Sequence, residues 1–315
     1  MDALLLAAGF GTRLRPLTQQ IAKPLLPIYG VPLLDIHLAH LFGYQGADPI
    51  SRIVVNGHHL AAQVRRHLGA HSARGKIAFS HETEILGTGG ALAHAAQHLT
   101  SNPFIVLNCD VLFIPPVDEA ITFHKTHDHW ATMVLVRSHI WPNVQIDGDR
   151  VTAILRGQTV PGAFTFTGFH IVSQELLGAI PRGTFHDIRD TYEKLLAEGK
   201  LGAYVWEKDA ASAFLDIGTP EAYLDAHRIC ARDGCDSFGF SPAESEITRV
   251  AGFGYADRTA TLGEGCRIEE SIILGGARAA AGSRVRGAII GPGAFVTGEV
   301  SDRLVTTVGT RDIAR

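Results

Sequence analysis

The chain has 315 residues, of which 46% are hydrophobic, and a formal net charge of −4. This composition is that of a globular protein long enough for two domains. It excludes a basic field for nucleic acid or an anionic membrane, and no apolar run reaches transmembrane length. The four cysteines at positions 109, 230, 235 and 266 show neither zinc nor disulfide spacing, so we expect reduced thiols and a cytoplasmic location.

Short apolar runs alternate with helical stretches from residue 1 to about residue 230. The predicted strands cover residues 3–7, 53–56, 77–80, 104–108 and 131–136, and residues 33–43 have helical spacing. Strands that are apolar throughout indicate a parallel sheet covered on both faces. Ligands of such domains bind beyond the carboxyl ends of the strands, where residues 9–13 and Asp110 lie.

The first strand leads directly into a glycine turn, Gly9-Phe10-Gly11-Thr12, which is followed by cations at Arg13, Arg15 and Lys23. Glycines let backbone N–H groups turn toward one centre and approach an anion closely. Fixed positive charge beside them suits a polyphosphate. The turn is neither a P-loop, since no Gly-Lys-Ser/Thr follows, nor a dinucleotide fingerprint, since Leu14 stands in place of the third glycine.

Helical periodicity ends after about residue 240, and glycine becomes dense. A six-residue interval separates Leu262, Ile268, Leu274 and Ala280; it slips by one near Val285 and returns at Ile290 and Val296. Short repeats of this kind predict a solenoid in which each side buries one apolar position. The alternative is an irregular glycine-rich tail. No histidine follows His227, which argues against the acyltransferases that use such solenoids.

Residues 4–18, LLLAAGFGTRLRPLT, and residues 23–27, KPLLP, resemble the opening signature of the sugar-1-phosphate nucleotidyltransferases. The resemblance continues through ILGTGGAL (85–92), VLNCD (106–110), FTGFHI (166–171) and FLDIGTPEAYLDAH (214–227). It implies an α/β fold: a Rossmann-like, doubly wound mixed sheet in a catalytic domain of residues 1–238. It also implies a short left-handed parallel β-helix of hexapeptide repeats in residues 239–315.

Enzymes of this family join a nucleoside triphosphate to a sugar 1-phosphate, releasing pyrophosphate. The sugar's phosphate oxygen attacks the α-phosphorus in line, so anion meets anion. Two unit charges ~5 Å apart repel by roughly 3 kcal/mol at an effective dielectric constant near 20. Backbone amides, cationic side chains and a divalent metal are therefore needed together. The resemblance implies Arg13, Lys23 and Asp110 as catalytic residues, and Asp110 with Asp216 as ligands of Mg²⁺.

The resemblance also assigns the nucleotide to a set of residues from four segments. They are Leu6, Ala7, Ala8, Gly9, Gly11, Thr12, Arg13, Asn56, Glu82, Gly87 and Thr88. Glu82 stands where several uridylyl relatives carry a glutamine that reads the base. A carboxylate only accepts hydrogen bonds, so it suits guanine or uracil and disfavours cytosine. We therefore expect GTP rather than UTP. Alternatively, Glu82 is a surface glutamate that does not read the base.

The sugar phosphate is the least defined ligand, because the Glu-Lys-Pro lysine of many relatives is missing from residues 151–164. The candidates by resemblance are Asn143, Arg156, Thr167, Gly168 and Glu193. Arg156 either replaces the lysine or is a surface arginine. A guanylyltransferase would use mannose 1-phosphate or a heptose 1-phosphate, and a uridylyltransferase would use N-acetylmuramate 1-phosphate.

Two other functions compete with this interpretation. The first is a non-catalytic homologue that binds a nucleotide sugar and regulates a partner. The second is a cytidylyltransferase for an alcohol phosphate. The presence of Arg13, Lys23, Asp110 and Asp216 favours catalysis, and Glu82 argues against cytosine. We expect no nucleic-acid or membrane partner, and an exposed flank of the β-helix could serve as the contact of a homo-oligomer.

Overall fold

The computed structural model describes residues 1–138, 141–207, 214–241 and 254–314. They form two compact units: Met1–Gly9 with His37–Phe214, and Phe10–Ile36 with Leu215–Arg315. The predicted domain boundary at residue 238 falls inside the second unit, and this division by packing does not test it. Within the segments described, no helix is both long enough and apolar enough to cross a membrane.

Helices and strands alternate through the first two thirds of the chain. The helices are α1 Leu33–Gly43, α2 Ala61–Ala70, α3 Gly87–Ala95, α4 Val117–Thr126, α5 Gln174–Gly178, α6 Ile188–Ala197 and α7 Pro220–Asp233. The strands before residue 220 are β1 Asp2–Leu6, β2 Pro27–Ile28, β3 Val31–Pro32, β4 Arg52–Gly57, β5 Ile77–His81, β6 Phe104–Asn108, β7 Val111–Leu112, β8 Ala131–Val136, β9 Val144–Asp147, β10 Arg150–Ile154, β11 Thr165–Val172, β12 Leu201–Val205 and β13 Leu215–Asp216.

From residue 254 onward, the described residues form short strands. They are β14 Gly254–Ala256, β15 Thr261–Leu262, β16 Arg267–Glu269, β17 Ser271–Ile273, β18 Arg278–Ala279, β19 Arg284–Arg286, β20 Ile289–Ile290, β21 Phe295–Val296, β22 Glu299–Ser301, β23 Arg303–Thr306 and β24 Gly309–Asp312.

The first unit is built on a nine-stranded mixed sheet in the order β5-β4-β1-β6-β11-β8-β12-β10-β9. Strands β5, β4, β1 and β6 are parallel, as the continuous apolar runs predict. Strand β11 is antiparallel to both of its neighbours, β6 and β8. The mixed sheet implied by the resemblance is confirmed, whereas the parallel sheet expected from the apolar runs is wrong at β11. The threonines and Gly168 interrupt the apolar run of β11 and hide it from the pattern.

The parallel register brings polar segments to one edge of this sheet. Leu6 at the end of β1 pairs with Asn108 at the end of β6, and Leu5 pairs with Val55 of β4. The residues that follow these strand ends are therefore neighbours, although they are far apart in sequence. This edge is where a doubly wound sheet places its ligands.

The short strands of the second unit form ladders of parallel strands. The orders are β14-β17-β20-β23, β15-β18-β21 and β16-β19-β22, and β24 adds an antiparallel strand to β23. Consecutive strands belong to different ladders, as in a solenoid, and the register pairs Leu262 with Ala279 and Ala279 with Val296. This order argues against an irregular tail, and the left-handed β-helix stays a prediction.

The interior of the solenoid corrects the predicted repeat. Its core contains Ile268, Ile273, Ala279, Val285 and Ile290, so the intervals are five and six residues. The prediction placed Ala280 inside and the slip near Val285, but Ala280 is half-buried. A five-residue interval recurs between residues 268 and 273 and between residues 285 and 290. The sequence hides this interval, because Ile273 stands beside Leu274, which is also apolar and buried, and Ala279 stands beside the identical Ala280.

Core histidines make the stability of the fold depend on pH. Burial lowers the pKa of His37, His124 and His227 to about 4 and that of His170 to about 3. An unfolded histidine has a pKa near 6.5. Between these values the unfolded chain binds protons that the folded chain does not, so stability falls as the pH falls.

We predict that the free energy of unfolding falls steadily from pH 6.5 to pH 4, by up to about 1.4 kcal/mol per pH unit for each such histidine. Urea denaturation at a series of pH values measures it. Replacing His170 with glutamine should reduce the slope, because one titrating group is lost. A free energy of unfolding that is constant between pH 6.5 and pH 5 would contradict the prediction.

Candidate functional site

A chain of buried hydrogen bonds fixes the end of β1. The backbone N–H of Ala7 donates to Asn56 Oδ1 over 2.6 Å, and Asn56 Nδ2 donates to Glu82 Oε1 over 2.6 Å. Glu82 Oε2 accepts the N–H of Leu86 over 3.1 Å, just before α3 begins. Asn56 and Glu82 are each only 2% exposed. These hydrogen bonds orient the Asn56 amide, since the amide oxygen faces a donor and the amide nitrogen faces an acceptor.

Glu82 therefore positions other groups, whatever it does for the base. Both of its carboxylate oxygens already accept an N–H donor of the protein. A carboxylate has further acceptor sites, so the prediction that Glu82 reads the base is not tested by these contacts. The contacts add a second role, in which Glu82 holds Asn56 and through it the backbone of Ala7.

The glycines of the LGTGG segment are required by a neighbouring loop. Gly87 has a φ of +70°, and a Cβ there would lie 2.7 Å from the carbonyl oxygen of His186. The N–H groups of Gly89 and Gly90 donate to that same oxygen over 3.0 and 3.2 Å. The sequence predicts a close approach of the nucleotide at Gly87 and Thr88. The structure shows that the loop around His186 makes a close approach there, and contact with a nucleotide stays a prediction.

Asp110 follows β6 at the edge that carries Ala7. The N–H of Cys109 donates to the carbonyl oxygen of Leu6 over 3.1 Å, and Asp110 itself is half-buried. Asn108 was not among the predicted site residues. Its side chain packs against Gly168, where a Cβ would lie 2.8 Å from Asn108 Nδ2 and where φ is +79°. The sequence signal for Asn108 is its place in the Asn-Cys-Asp motif of residues 108–110.

Two residues predicted to bind the sugar phosphate, Thr167 and Arg156, have partners within the protein. Thr167 is fully buried, and its hydroxyl donates to Val134 O over 2.9 Å and accepts the N–H of Phe169, inside an irregularity of β11. Arg156 and Glu193, two of the predicted ligands, form an ion pair with 2.9 Å between Arg156 Nη2 and Glu193 Oε1. Asp190 shares this arginine. A sugar phosphate would have to compete with two carboxylates for Arg156.

The backbone of Asn143 belongs to the fold of this region. Its N–H donates to Phe164 O over 2.9 Å, and its carbonyl oxygen accepts the N–H of Leu155 over 2.8 Å. Residue 143 is half-buried. These bonds hold the segment in place, and contact of the Asn143 side chain with a sugar stays a prediction.

The second unit carries Gly11 and the cations that follow it. Gly11 has a φ of +60°, and its carbonyl oxygen accepts the Leu14 N–H over 2.9 Å and the Thr18 hydroxyl over 2.8 Å. A Cβ on Gly11 would lie 2.8 Å from Thr18 Cγ2, so glycine is required for conformation and for space. Lys23 is only 7% exposed and begins a short 3-10 turn. The turn leaves Arg13 with a side chain that is 49% exposed.

Arg13 and Asp216 lie together, although 203 positions separate them. Arg13 Nη2 is 3.6 Å from Asp216 Oδ2. Gly218 makes this possible: a Cβ there would lie 2.7 Å from Arg13 Cζ and 2.6 Å from Asp216 Oδ1. Gly218 is a residue that sequence reasoning missed, although its place in the FLDIGTP motif was a signal. An ion pair this exposed is worth at most about 1 kcal/mol, so either partner can exchange it for a ligand.

The two carboxylates predicted to bind Mg²⁺ belong to different units, Asp110 to the first and Asp216 to the second. Where the structure describes the chain, no three or more His, Cys, Asp or Glu side chains are grouped to hold a metal. Magnesium needs fewer protein ligands, usually one or two carboxylates with phosphate oxygens and water. Asp110 and Asp216 are both half-buried, and their binding of Mg²⁺ stays a prediction.

Known proteins are similar to this chain over most of its length. The model of the family described as nucleotidyl transferase matches residues 2–141. Mannose-1-phosphate guanylyltransferase of Mycobacterium tuberculosis is 30% identical over 300 residues, which is 90% of this chain and 82% of that protein. The chain belongs to the sugar-1-phosphate nucleotidyltransferase family.

Other members of the family match the chain over most of their length. Mannose-1-phosphate guanylyltransferase 1 of Arabidopsis thaliana is 28% identical over 285 residues, covering 87% of this chain and 76% of that protein. The crystal structure of HddC from Yersinia pseudotuberculosis superimposes with a TM-score of 0.58 at 26% identity, covering 74% of this chain and 99% of the other. The family implied by the sequence motifs is confirmed, and the chain is a nucleotidyltransferase.

Glu82→Gln distinguishes the two roles of Glu82 in this nucleotidyltransferase. Glutamine can accept at only one of the two positions, so Asn56 or Leu86 N–H loses its acceptor. If Glu82 positions the loop, kcat/KM should fall about tenfold with GTP and UTP alike, since one hydrogen bond is lost. If Glu82 reads the base, the ratio of kcat/KM with GTP to kcat/KM with UTP should change instead. Exposed Glu84→Gln is the matched control, and wild-type values in Glu82→Gln would exclude both roles.

Gly218→Ala tests the packing around Arg13. The added methyl group overlaps the guanidinium and the Asp216 carboxylate, so Arg13 must move. A displacement of about 1 Å near the reaction can cost up to about a hundredfold in rate. We predict a fall in kcat/KM for the nucleoside triphosphate of that order, with an almost unchanged melting temperature. Gly69→Ala is the control, because nothing lies within 4 Å of a Cβ at that position. Equal activity of the two variants would contradict the prediction.

Proposed function

We propose that the chain transfers the guanylyl group of GTP to mannose 1-phosphate and releases pyrophosphate, with Mg²⁺ as cofactor. The choice of GTP and mannose 1-phosphate rests on the match to a mannose-1-phosphate guanylyltransferase over 82% of that protein's length. Glu82 supports a base with N–H donors, since an ionised carboxylate only accepts hydrogen bonds. A heptose 1-phosphate with GTP, and N-acetylmuramate 1-phosphate with UTP, are the alternatives that the experiment below includes.

The positive groups of the second unit suit the triphosphate. The Gly11 turn presents backbone N–H groups, and the half-exposed Arg13 guanidinium supplies a fixed positive charge next to them. Arg13 would leave Asp216 for the phosphates and stabilise the pyrophosphate as it departs. Lys23 is held in a buried position, and we assign it to a phosphate close to the reacting centre. No general base is needed, because the attacking phosphate is already ionised.

Asp110 and Asp216 are the residues that would hold Mg²⁺. The ion would supply charge neutralisation at the phosphate oxygens. Asp216 would then exchange its contact with Arg13 for the cation, which leaves the guanidinium available for phosphate. Asp110, at the end of β6, lies beside the strand end whose backbone Asn56 holds.

The remaining parts of the proposal concern the surroundings of the reaction. We infer that the solenoid is a left-handed β-helix, which its parallel ladders support. We also infer that the enzyme works in the cytoplasm as the sequence predicts, making a nucleotide sugar for cell-envelope polysaccharide. A homo-oligomer through the flank of the solenoid stays a prediction.

Pyrophosphate release tests the proposed function directly. The purified chain is incubated with Mg²⁺, each of the four nucleoside triphosphates and a panel of sugar 1-phosphates. We expect the highest kcat/KM with GTP and mannose 1-phosphate. A preference for UTP with N-acetylmuramate 1-phosphate would replace the substrates and keep the reaction. No release of pyrophosphate with any pair would contradict catalysis.

Asp110→Asn tests the metal site. The substitution keeps the shape of the side chain and removes its charge, so the fold should survive. We predict a loss in rate on the order of a hundredfold or more, since a group that stabilises the transition state by charge is removed. The concentration of Mg²⁺ at half-maximal rate should rise as well. Asp118→Asn, outside the proposed site, is the control, and full activity of Asp110→Asn at low Mg²⁺ would remove Asp110 from the site.

A further inference from the structure

The last strands of the chain contact the loop that carries Arg13. We call residues 11–20 the arginine loop and residues 303–312, which contain β23 and β24, the C-terminal hairpin. Arg311 Nη1 donates a hydrogen bond to the carbonyl oxygen of Arg13. Gln20 Nε2 donates to Thr307 Oγ1. Both contacts join residues almost 300 positions apart, and both lie within the second unit.

The surfaces between these contacts are matched in shape. Gly309 faces the ring of Pro16, and a Cβ at position 309 would lie 3.8 Å from Pro16 Cβ and Cγ. The two hydrogen bonds flank this contact, one at each end of the arginine loop. The loop is therefore held at Arg13, Pro16 and Gln20 by a single hairpin.

The same end of the chain also holds the segment that carries Asp216. The N–H of Ala314, two residues beyond β24, donates to Glu221 Oε1 over 3.0 Å. Glu221 lies in the first turn of α7, directly after the Asp216–Gly218 segment. Arg13 and Asp216, the ion pair of the site, thus both belong to segments that the C-terminal residues tie down.

The backbone of Arg13 matters because its side chain is weakly held. The guanidinium is half-exposed, and its contact with Asp216 is 3.6 Å long. Within the turn, the internal bonds run from Leu14 N–H to Gly11 O and from Arg15 N–H to Thr12 O, and they leave the Arg13 carbonyl to Arg311. A rotation of this peptide would move the guanidinium, because the side chain follows its Cα.

We propose that Arg311 is a positioning residue: its hydrogen bond to the Arg13 carbonyl sets the guanidinium of Arg13 for the triphosphate. The C-terminal hairpin is then part of the machinery for nucleotide binding and not only the end of a solenoid. This inference rests on the proposed function, in which Arg13 binds the phosphates. Arg311 itself does not touch the substrate.

The kinetic test compares two arginines of the same hairpin. Arg311→Met removes the donor and keeps the length of the side chain. Arg303→Met is the matched control, since the side chain of Arg303 forms an exposed ion pair with Asp312 of the same hairpin and is not among the residues proposed for the site. We expect Arg311→Met to lower kcat/KM for GTP about tenfold through KM, as expected for the loss of one charge-assisted hydrogen bond. The KM for mannose 1-phosphate should not change.

Two further variants separate positioning from a loss of folding. Arg311→Lys keeps a donor that can reach the carbonyl, so it should restore part of the activity. In the Arg13→Ala background, Arg311→Met should have no additional effect, because the group on which it acts is missing. Equal losses in the Arg13→Ala and wild-type backgrounds would overturn the proposal. So would equal kinetics of Arg311→Met and Arg303→Met, or a fall in melting temperature that accounts for the lost activity.

A binding measurement keeps the inference testable if the wild-type chain releases no pyrophosphate with any substrate pair. That result alone would refute the proposed function. Calorimetric titration with Mg²⁺ and inorganic tripolyphosphate then reports on the arginine loop without a sugar or a base. We expect about tenfold weaker binding in Arg311→Met than in Arg303→Met. Equal binding of the two variants, or no binding by the wild-type chain, would overturn the role of Arg311.

Discussion

Backbone donors that meet a triphosphate must be in place before the anion arrives, because fixed donors need no reorganisation during the reaction. This constraint explains the otherwise costly features of the structure. A carboxylate and an amide are buried at the edge of the sheet to hold one backbone N–H, that of Ala7. Thr18 and the hairpin hold the turn around Arg13 in the same way. Buried polar groups of this kind stabilise a structure only when each has its partner.

The Arg13–Asp216 pair shows how the site keeps its charges balanced without substrate. Each partner neutralises the other over 3.6 Å in a half-exposed position, where the attraction is weak enough to exchange. In the proposed reaction, the phosphates of the triphosphate would take the place of Asp216 at Arg13, and Mg²⁺ would take the place of Arg13 at Asp216. Gly218 supplies the space in which the pair forms. Under the proposed function, each partner of the ion pair would be replaced by a ligand with the same sign of charge.

Local pattern predicted much of this protein, and contacts between distant segments explain what it missed. The strand ends near Ala7, Asn56 and Asp110 follow from apolar runs, which depend on neighbours in sequence. The antiparallel strand β11 does not, since Gly168 makes room for Asn108 across the sheet. Likewise, no pattern relates Arg311 to Arg13, because the carbonyl that it binds carries no side-chain signal. Family motifs located Arg13 and Asp216, but their pairing through Gly218 needed the structure.

A crystal structure with Mg²⁺ and a non-hydrolysable GTP analogue tests most directly whether the positive groups are arranged for a triphosphate. The phosphates should lie against the backbone N–H groups of the Gly11 turn. The Arg13 guanidinium should have left Asp216 for a phosphate oxygen, and its carbonyl should still accept the bond from Arg311. A bound analogue whose phosphates lie elsewhere, with the Arg13–Asp216 pair intact, would contradict this arrangement.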